Sequence, residues 1–140
     1  MINYPVIKLK IFYTMPKRKK KDRAPLISSD GHRIRGRIWI EGPEGTFLGY
    51  GRVVLLERIR EYGSISEAAR SMNMSYKHAW DLVNSMNRQS KEPLVITFTG
   101  GKKGGGAKLT EAGEKAIETF WKLYQKFQEF LKEEEKSLNF

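Results

Sequence analysis

The sequence predicts a mostly α-helical chain with small β elements: an N-terminal β-hairpin, two short helices joined by a tight turn, a glycine-rich β-wing and a long C-terminal helix. Three observations carry this expectation. Apolar residues recur at helical spacing in separate blocks after residue 50. Two of those blocks are parted only by Asn73-Met74-Ser75. Leu94 to Thr99 is a β-branched run bounded by Pro93 and Gly100. Two helices around a short turn, followed by a strand pair, make a winged helix-turn-helix.

The elements follow in order. Residues 1–36 read as a basic, flexible tail, because Lys17-Arg18-Lys19-Lys20-Lys21 is a run of like charges that cannot be buried. Val6, Ile7, Leu9, Ile11 and Phe12 have strand character without an evident partner, and Met15 reads as an alternative start. The basic run suits an arm lying along phosphates or in a minor groove. Ile38 and Ile40 alternate with Arg37, Trp39 and Glu41. With the turn Gly42-Pro43-Glu44-Gly45 they predict a hairpin over 37–49. Val54, Leu55, Ile59 and Tyr62 predict a helix over 51–62 with Gly63 as its stop.

Ser64-Ile65-Ser66-Glu67 has the capping-box pattern and opens a helix over 65–72, in which Ala68 and Ala69 allow close helix approach. Asn73 suits a left-handed turn, Met74 plugs the turn into the core, and Ser75 caps a helix over 76–89. There Ala79, Leu82, Val83 and Met86 share one face. Lys77, Asp81, Asn84 and Arg88 lie opposite, with Tyr76 and Trp80 at the boundary. The strand 94–99, the loop Gly100 to Lys108 and a short return strand form the wing, and Thr110 caps a helix over 111–136. The domain organisation expected is therefore a tail (1–36), a winged domain with its hairpin (37–110) and a C-terminal dimerisation helix (111–140).

Composition narrows the chemistry. A formal charge of +10 over 140 residues favours a polyanionic partner, nucleic acid or an anionic membrane surface. The chain has no cysteine, which excludes disulfides, thiolate metal sites and cysteine nucleophiles and suits a reducing interior. No apolar run approaches the ~20 residues of a membrane span. Lys8 and Lys10 break any signal-peptide core, so a cytoplasmic location with no membrane association is expected. His32 and His78, the two histidines, stand in no metal-ligand spacing, so no metal is expected. No acid–base pair or nucleophilic triad is evident, and an enzyme is not expected. The glycine-rich loop lacks both phosphate-loop patterns, so no nucleotide cofactor is expected either. Glycines and Lys102, Lys103 and Lys108 there suit a wing that approaches and neutralises DNA phosphates.

In the last helix Ile117, Phe120, Tyr124, Phe127 and Leu131 form a seam with gaps of three and four. Trp121, Leu123 and Phe130 add a second stripe. That excess apolar surface predicts a homodimer, with Ile117, Phe120, Trp121, Tyr124, Phe127 and Leu131 at its interface.

The stretch from Gly51 to Ile117 resembles the N-terminal DNA-binding domain of the ModE family of molybdate-responsive regulators. The resemblance is carried by Gly63 to Ala69, by Met74-Ser75-Tyr76-Lys77-His78-Ala79-Trp80-Asp81 and by Met86-Asn87. It continues through Glu92-Pro93-Leu94-Val95, Gly100 to Ala107, and Leu109-Thr110-Glu111-Ala112-Gly113. The helix-turn-helix by itself also resembles LysR-type regulators, which lack this wing. The ModE resemblance implies a dimer that binds double-stranded DNA, with Ser75, Tyr76 and Lys77 opening the recognition helix, and control of molybdate-uptake or molybdoenzyme genes. Family members carry C-terminal oxyanion-binding domains, whereas this chain ends at Phe140, so no tight molybdate binding is expected.

Ser64, Ser66, Ser75, Tyr76, Lys77, His78, Trp80, Asp81, Asn84, Arg88, Lys102, Lys103 and Lys108 are thus the expected DNA contacts. The function expected is sequence-specific regulation of transcription. The alternatives are a nonspecific architectural DNA binder and a winged module for protein interaction.

Overall fold

The computed structural model describes residues 30–100 and 104–140. The chain divides into two compact units, one spanning Trp39–Phe120 and the other joining the chain up to Ile38 with Trp121–Phe140. The basic run 17–21, Met15, Lys102 and Lys103 lie outside the described residues.

The larger unit begins with an antiparallel hairpin, β1 (Trp39–Gly42) and β2 (Gly45–Gly49). Ile40 faces Leu48 but Glu41 faces Thr46, so Phe47 is an extra residue and the strand bulges there. Gly45 has φ +99°, a conformation a side chain would oppose, and this lets the chain reverse after Pro43-Glu44. The strand starts at Trp39, two residues later than the alternation suggests.

Helix α1 (Tyr50–Tyr62) follows without a linker. Every residue from Val53 to Ile59 is buried, including Glu57 and Arg58. The helix is therefore covered round its circumference, where the spacing had suggested one apolar face. Tyr62, expected on that face, is 45 % exposed because it is the last residue before the cap. Gly63 takes the left-handed conformation (φ 70°) and donates its N–H to the Ile59 carbonyl at 2.8 Å, the stop expected of it.

Ser64 caps α2 (Ile65–Ser71) by accepting the Glu67 N–H at 3.0 Å. The return half of the capping box is absent, since the Glu67 carboxylate sits 3.7 Å from Arg70 instead. Ala68 and Ala69 are fully buried, and α2 packs between α1 and α3. Asn73 adopts φ 53°, the expected left-handed turn, and Met74 is half-buried beneath it. Ser75 then accepts the His78 N–H at 3.0 Å and opens α3 (Tyr76–Gln89). Ala79, Val83 and Met86 are its buried face, with Leu82 half-buried beside them.

The wing is β3 (Val95–Phe98) paired antiparallel with β4 (Gly106–Leu109), in the register Val95 to Leu109 and Phe98 to Gly106. Its base is fastened twice. The Ala107 N–H donates to the Gly63 carbonyl at 2.9 Å, which docks β4 on the end of α1. Thr110 donates its N–H to the Leu94 carbonyl at 3.0 Å and its hydroxyl to the Pro93 carbonyl at 2.6 Å. The Thr110 hydroxyl also accepts the Gly113 N–H at 3.1 Å and so caps α4 (Glu111–Glu135). A Cβ on Gly113 would collide with the Leu94 carbonyl oxygen, so only glycine permits this approach. Ile117 and Phe120 close the core of this unit, Phe120 with no exposed surface.

In the smaller unit Arg33 Nε lies 3.5 Å from Glu135 Oε1. Glu135, a charged residue at the end of α4, is only 5 % exposed, with Arg33 there to neutralise it. Asp30 accepts the Phe140 N–H at 2.8 Å and faces the His32 ring nitrogen at 3.0 Å. A Cβ on Gly36 would lie 2.8 Å from the Phe127 ring, so glycine lets that ring rest against the backbone. Residues 30–36 fall in the span expected to be tail, and these are among the contacts they make. Trp121 and Tyr124 meet edge to face at 5.4 Å.

Candidate nucleic-acid interface

Two polar side chains on α3 fasten the helix to the β elements on either side of it. Asn87 accepts the N–H groups of Leu94 and Val95 at 2.8 and 3.2 Å and donates to the Val95 carbonyl at 2.9 Å. One amide thereby binds three backbone groups at the start of the wing. Gln89 donates to the Thr46 carbonyl at 3.0 Å and accepts the Glu44 N–H at 3.2 Å, which ties the other side of α3 to the hairpin turn. Sequence reading assigned neither residue a role. Their only local signal is a polar residue just after the last apolar position, Met86.

With α3 so held, the α2 start, the first turns of α3 and the wing border one cleft of about 350 Å³. Ser64, Ser66, Tyr76 and Trp80 line it, four of the expected contacts, together with Thr97, Phe98, Thr99 and Gly105, which were not expected. Tyr76, Trp80 and Phe98 are 56, 36 and 49 % exposed. Three large aromatic surfaces on one cleft, ringed by hydroxyls and glycine backbone, suit a ligand with both apolar and acceptor edges. The sugar–phosphate backbone of DNA is one such ligand.

The remaining expected contacts divide. Lys77 and Asp81 form an exposed pair along α3 at 2.9 Å. Arg88 points to the hairpin, its Nε 3.2 Å from Glu44. Asn84 is half-buried, with no side-chain hydrogen bond among the described residues, and is free to address a base edge. Ser75 and His78 are exposed at the helix start, and Ser75 is occupied as the cap. Lys108 is exposed on β4, opposite Ile96 in the register. Of the residues expected at a dimer interface, Ile117, Phe120 and Trp121 are at most 5 % exposed in the single chain, so they offer a partner almost no surface. Tyr124, Phe127 and Leu131 are half-buried, and Leu123 and Phe130 are exposed.

One cation was missed. Arg52, in the first turn of α1, donates from Nη1 to Ser85 Oγ on α3 at 2.9 Å. Desolvation by burial lowers its pKa from the usual arginine value.

Residues 51–114 match the family of bacterial regulatory helix-turn-helix proteins of the LysR type. Among individual proteins, the chain is 37 % identical over 107 residues to the molybdenum transport protein ModE of Azotobacter vinelandii, covering 76 % of this chain and 40 % of that one. It is 47 % identical over 110 residues to the molybdenum-pterin-binding protein MopB of Rhodobacter capsulatus, covering 79 % of this chain and 40 % of the other. To the DNA-binding transcriptional dual regulator ModE of Escherichia coli K12 it is 47 % identical over 74 residues, 53 % of this chain and 28 % of that regulator. The chain carries a ModE-like helix-turn-helix domain. The matched stretch spans at most about 40 % of the length of these relatives. The ModE-like domain contains every element that borders the cleft and every residue that fastens α3. No helix among the described residues is long and apolar enough to cross a membrane.

Proposed function

We propose that this chain binds double-stranded DNA at specific sequences and regulates transcription, with no enzymatic activity and in the cytoplasm. The observation that carries the reading is the cleft in which the α2 start, the first turns of α3 and the wing meet. In this reading the N-terminal half of α3 enters the major groove, where Lys77, Asp81 and Asn84 face base edges. The backbone strand between the grooves passes along Tyr76, Trp80 and Phe98, and the wing lysines grip phosphate. The likeness to ModE regulators supports the same reading and extends it to genes of molybdenum metabolism.

The active species is a homodimer, supported by the apolar positions Leu123 and Phe130 left exposed on α4. These 140 residues do not bind molybdate tightly, because the glycine loop leads into strand β4 and offers no helix N-terminus to an oxyanion. Calorimetric titration with molybdate is expected to give no micromolar binding.

Selection of bound sequences from a random duplex pool tests the function. An inverted-repeat consensus is the expected result, with half-sites one or more helical turns apart. A second reading, a nonspecific architectural binder, is favoured by the charge of +10. A pool that yields no consensus, with equal affinity for all duplexes at a stated salt concentration, decides for it.

A further inference from the structure

The outward face of α3 is electrically balanced. Lys77 is matched by Asp81 and Arg88 by Glu44. Elsewhere in this unit Arg60 faces Glu114 and Arg70 faces Glu67. Arg52 differs, since among the described residues its hydrogen-bond partner is a neutral hydroxyl, Ser85 Oγ. Its guanidinium has been partly withdrawn from water without a carboxylate in exchange, and such a cation gains most from an arriving anion.

Its place on the surface indicates which anion. Ser85 is one turn after Asp81 on α3, next in sequence to Asn84 and three residues before Arg88. With each residue advancing about 100°, Ser85 stands at the edge of the outward face, on the flank turned toward the hairpin. Trp80 and Asn87 mark the opposite flank, toward the wing. A duplex with α3 in its major groove presents one phosphate strand to each flank. The wing flank has its aromatic cleft, and Arg52 is the cation offered on the other.

We propose that Arg52 is a ligand for a DNA phosphate, aimed by Ser85, on the hairpin side of α3. The inference rests on the DNA-binding reading above. A guanidinium fixed by one hydrogen bond, with its remaining donors free among the described residues, suits a phosphate oxygen pair. The contact carries no sequence information, so its loss weakens binding to all duplexes alike.

The test measures affinity for the selected site and for a random duplex across a salt series, for the full chain and three variants. Arg52→Gln is expected to lose roughly tenfold in affinity on both duplexes at ~0.1 M salt. Its log–log salt slope should become shallower by about one. Arg52→Lys keeps the slope of the parent but recovers only part of the affinity, because an ammonium lacks the fork geometry. Ser85→Ala keeps the slope and loses a few-fold, as expected for a positioning residue. A parent-like slope for Arg52→Gln, with only a lowered thermal midpoint, overturns the proposal and makes the Arg52–Ser85 bond purely structural. Should Arg52→Gln fail to fold, a Ser85→Ala protein with unchanged affinity overturns it equally. If the parent itself shows no salt-dependent duplex binding, the DNA reading fails first and takes this inference with it.

Discussion

Asn87 binds three backbone groups with one amide, its oxygen accepting twice and its NH2 donating once. Asn87→Ala leaves two N–H groups and a carbonyl at the base of the wing without partners. A loss of about 1–3 kcal/mol in unfolding free energy is expected, read by urea denaturation. Asn87→Asp keeps both accepted bonds and loses the donated one, so it should fall between. At Asn84 the expectation reverses, because that side chain makes no hydrogen bond among the described residues. Asn84→Ala should leave stability unchanged. It should cost about 1–3 kcal/mol at the preferred DNA site and relax the base preference there. An identical selected consensus for the variant would remove Asn84 from the readout. Asp81 holds Lys77 at 2.9 Å, so Asp81→Asn should raise affinity for random duplexes by releasing that cation.

Among the elements, α4 begins under a constraint that propensity hides. Gly113 lies inside the first turn of a helix, where alanine usually gains up to ~1 kcal/mol. Here the added Cβ meets the Leu94 carbonyl, so Gly113→Ala should lower the thermal midpoint instead of raising it. The element order was legible because its signals are local. The Ser64 and Ser75 caps, the left-handed Asn73 and Gly63, and the β-branched run of β3 each depend on neighbours within a few residues. Ser64, Ser66, Tyr76 and Trp80 were legible as one site for the same reason, since the helix-turn-helix pattern places them together. Contacts between distant residues were not legible. Arg88 and Glu44 are 44 positions apart, so the sequence offered Arg88 as a free cation. The burial of Glu57 and Arg58 hid α1's true environment, because charge normally marks an exposed face. Phe98 read only as part of the strand 94–99, with nothing in the chain to say that it would share a cleft with Trp80.

For the whole molecule, the charge of +10 is unevenly useful, because ion pairing leaves the readout face of α3 neutral. In the proposed complex, attraction to DNA then rests on flanking cations such as Arg52 and Lys108. Lys108→Ala should flatten the salt slope by about one without altering the consensus. The proposed assembly rests on a narrower surface than the full apolar seam of α4. Leu123 and Phe130, seven residues apart, are 43 and 57 % exposed and fall on one stripe. The double substitution Leu123→Asp with Phe130→Asp should give a folded monomer by sedimentation, with weakened binding to an inverted repeat. A parent that already sediments as a monomer at tens of micromolar would remove the dimer from the account. The side chains that fasten α3 to hairpin and wing, Asn87 and Gln89, both lie in its final turn. Its opening turns carry only a cap and a pair internal to the helix. The outward positions 77, 81 and 84 can therefore change while Ala79, Val83, Met86 and the final turn keep the fold, and paralogues can acquire new operators by drift there without a compensating change elsewhere.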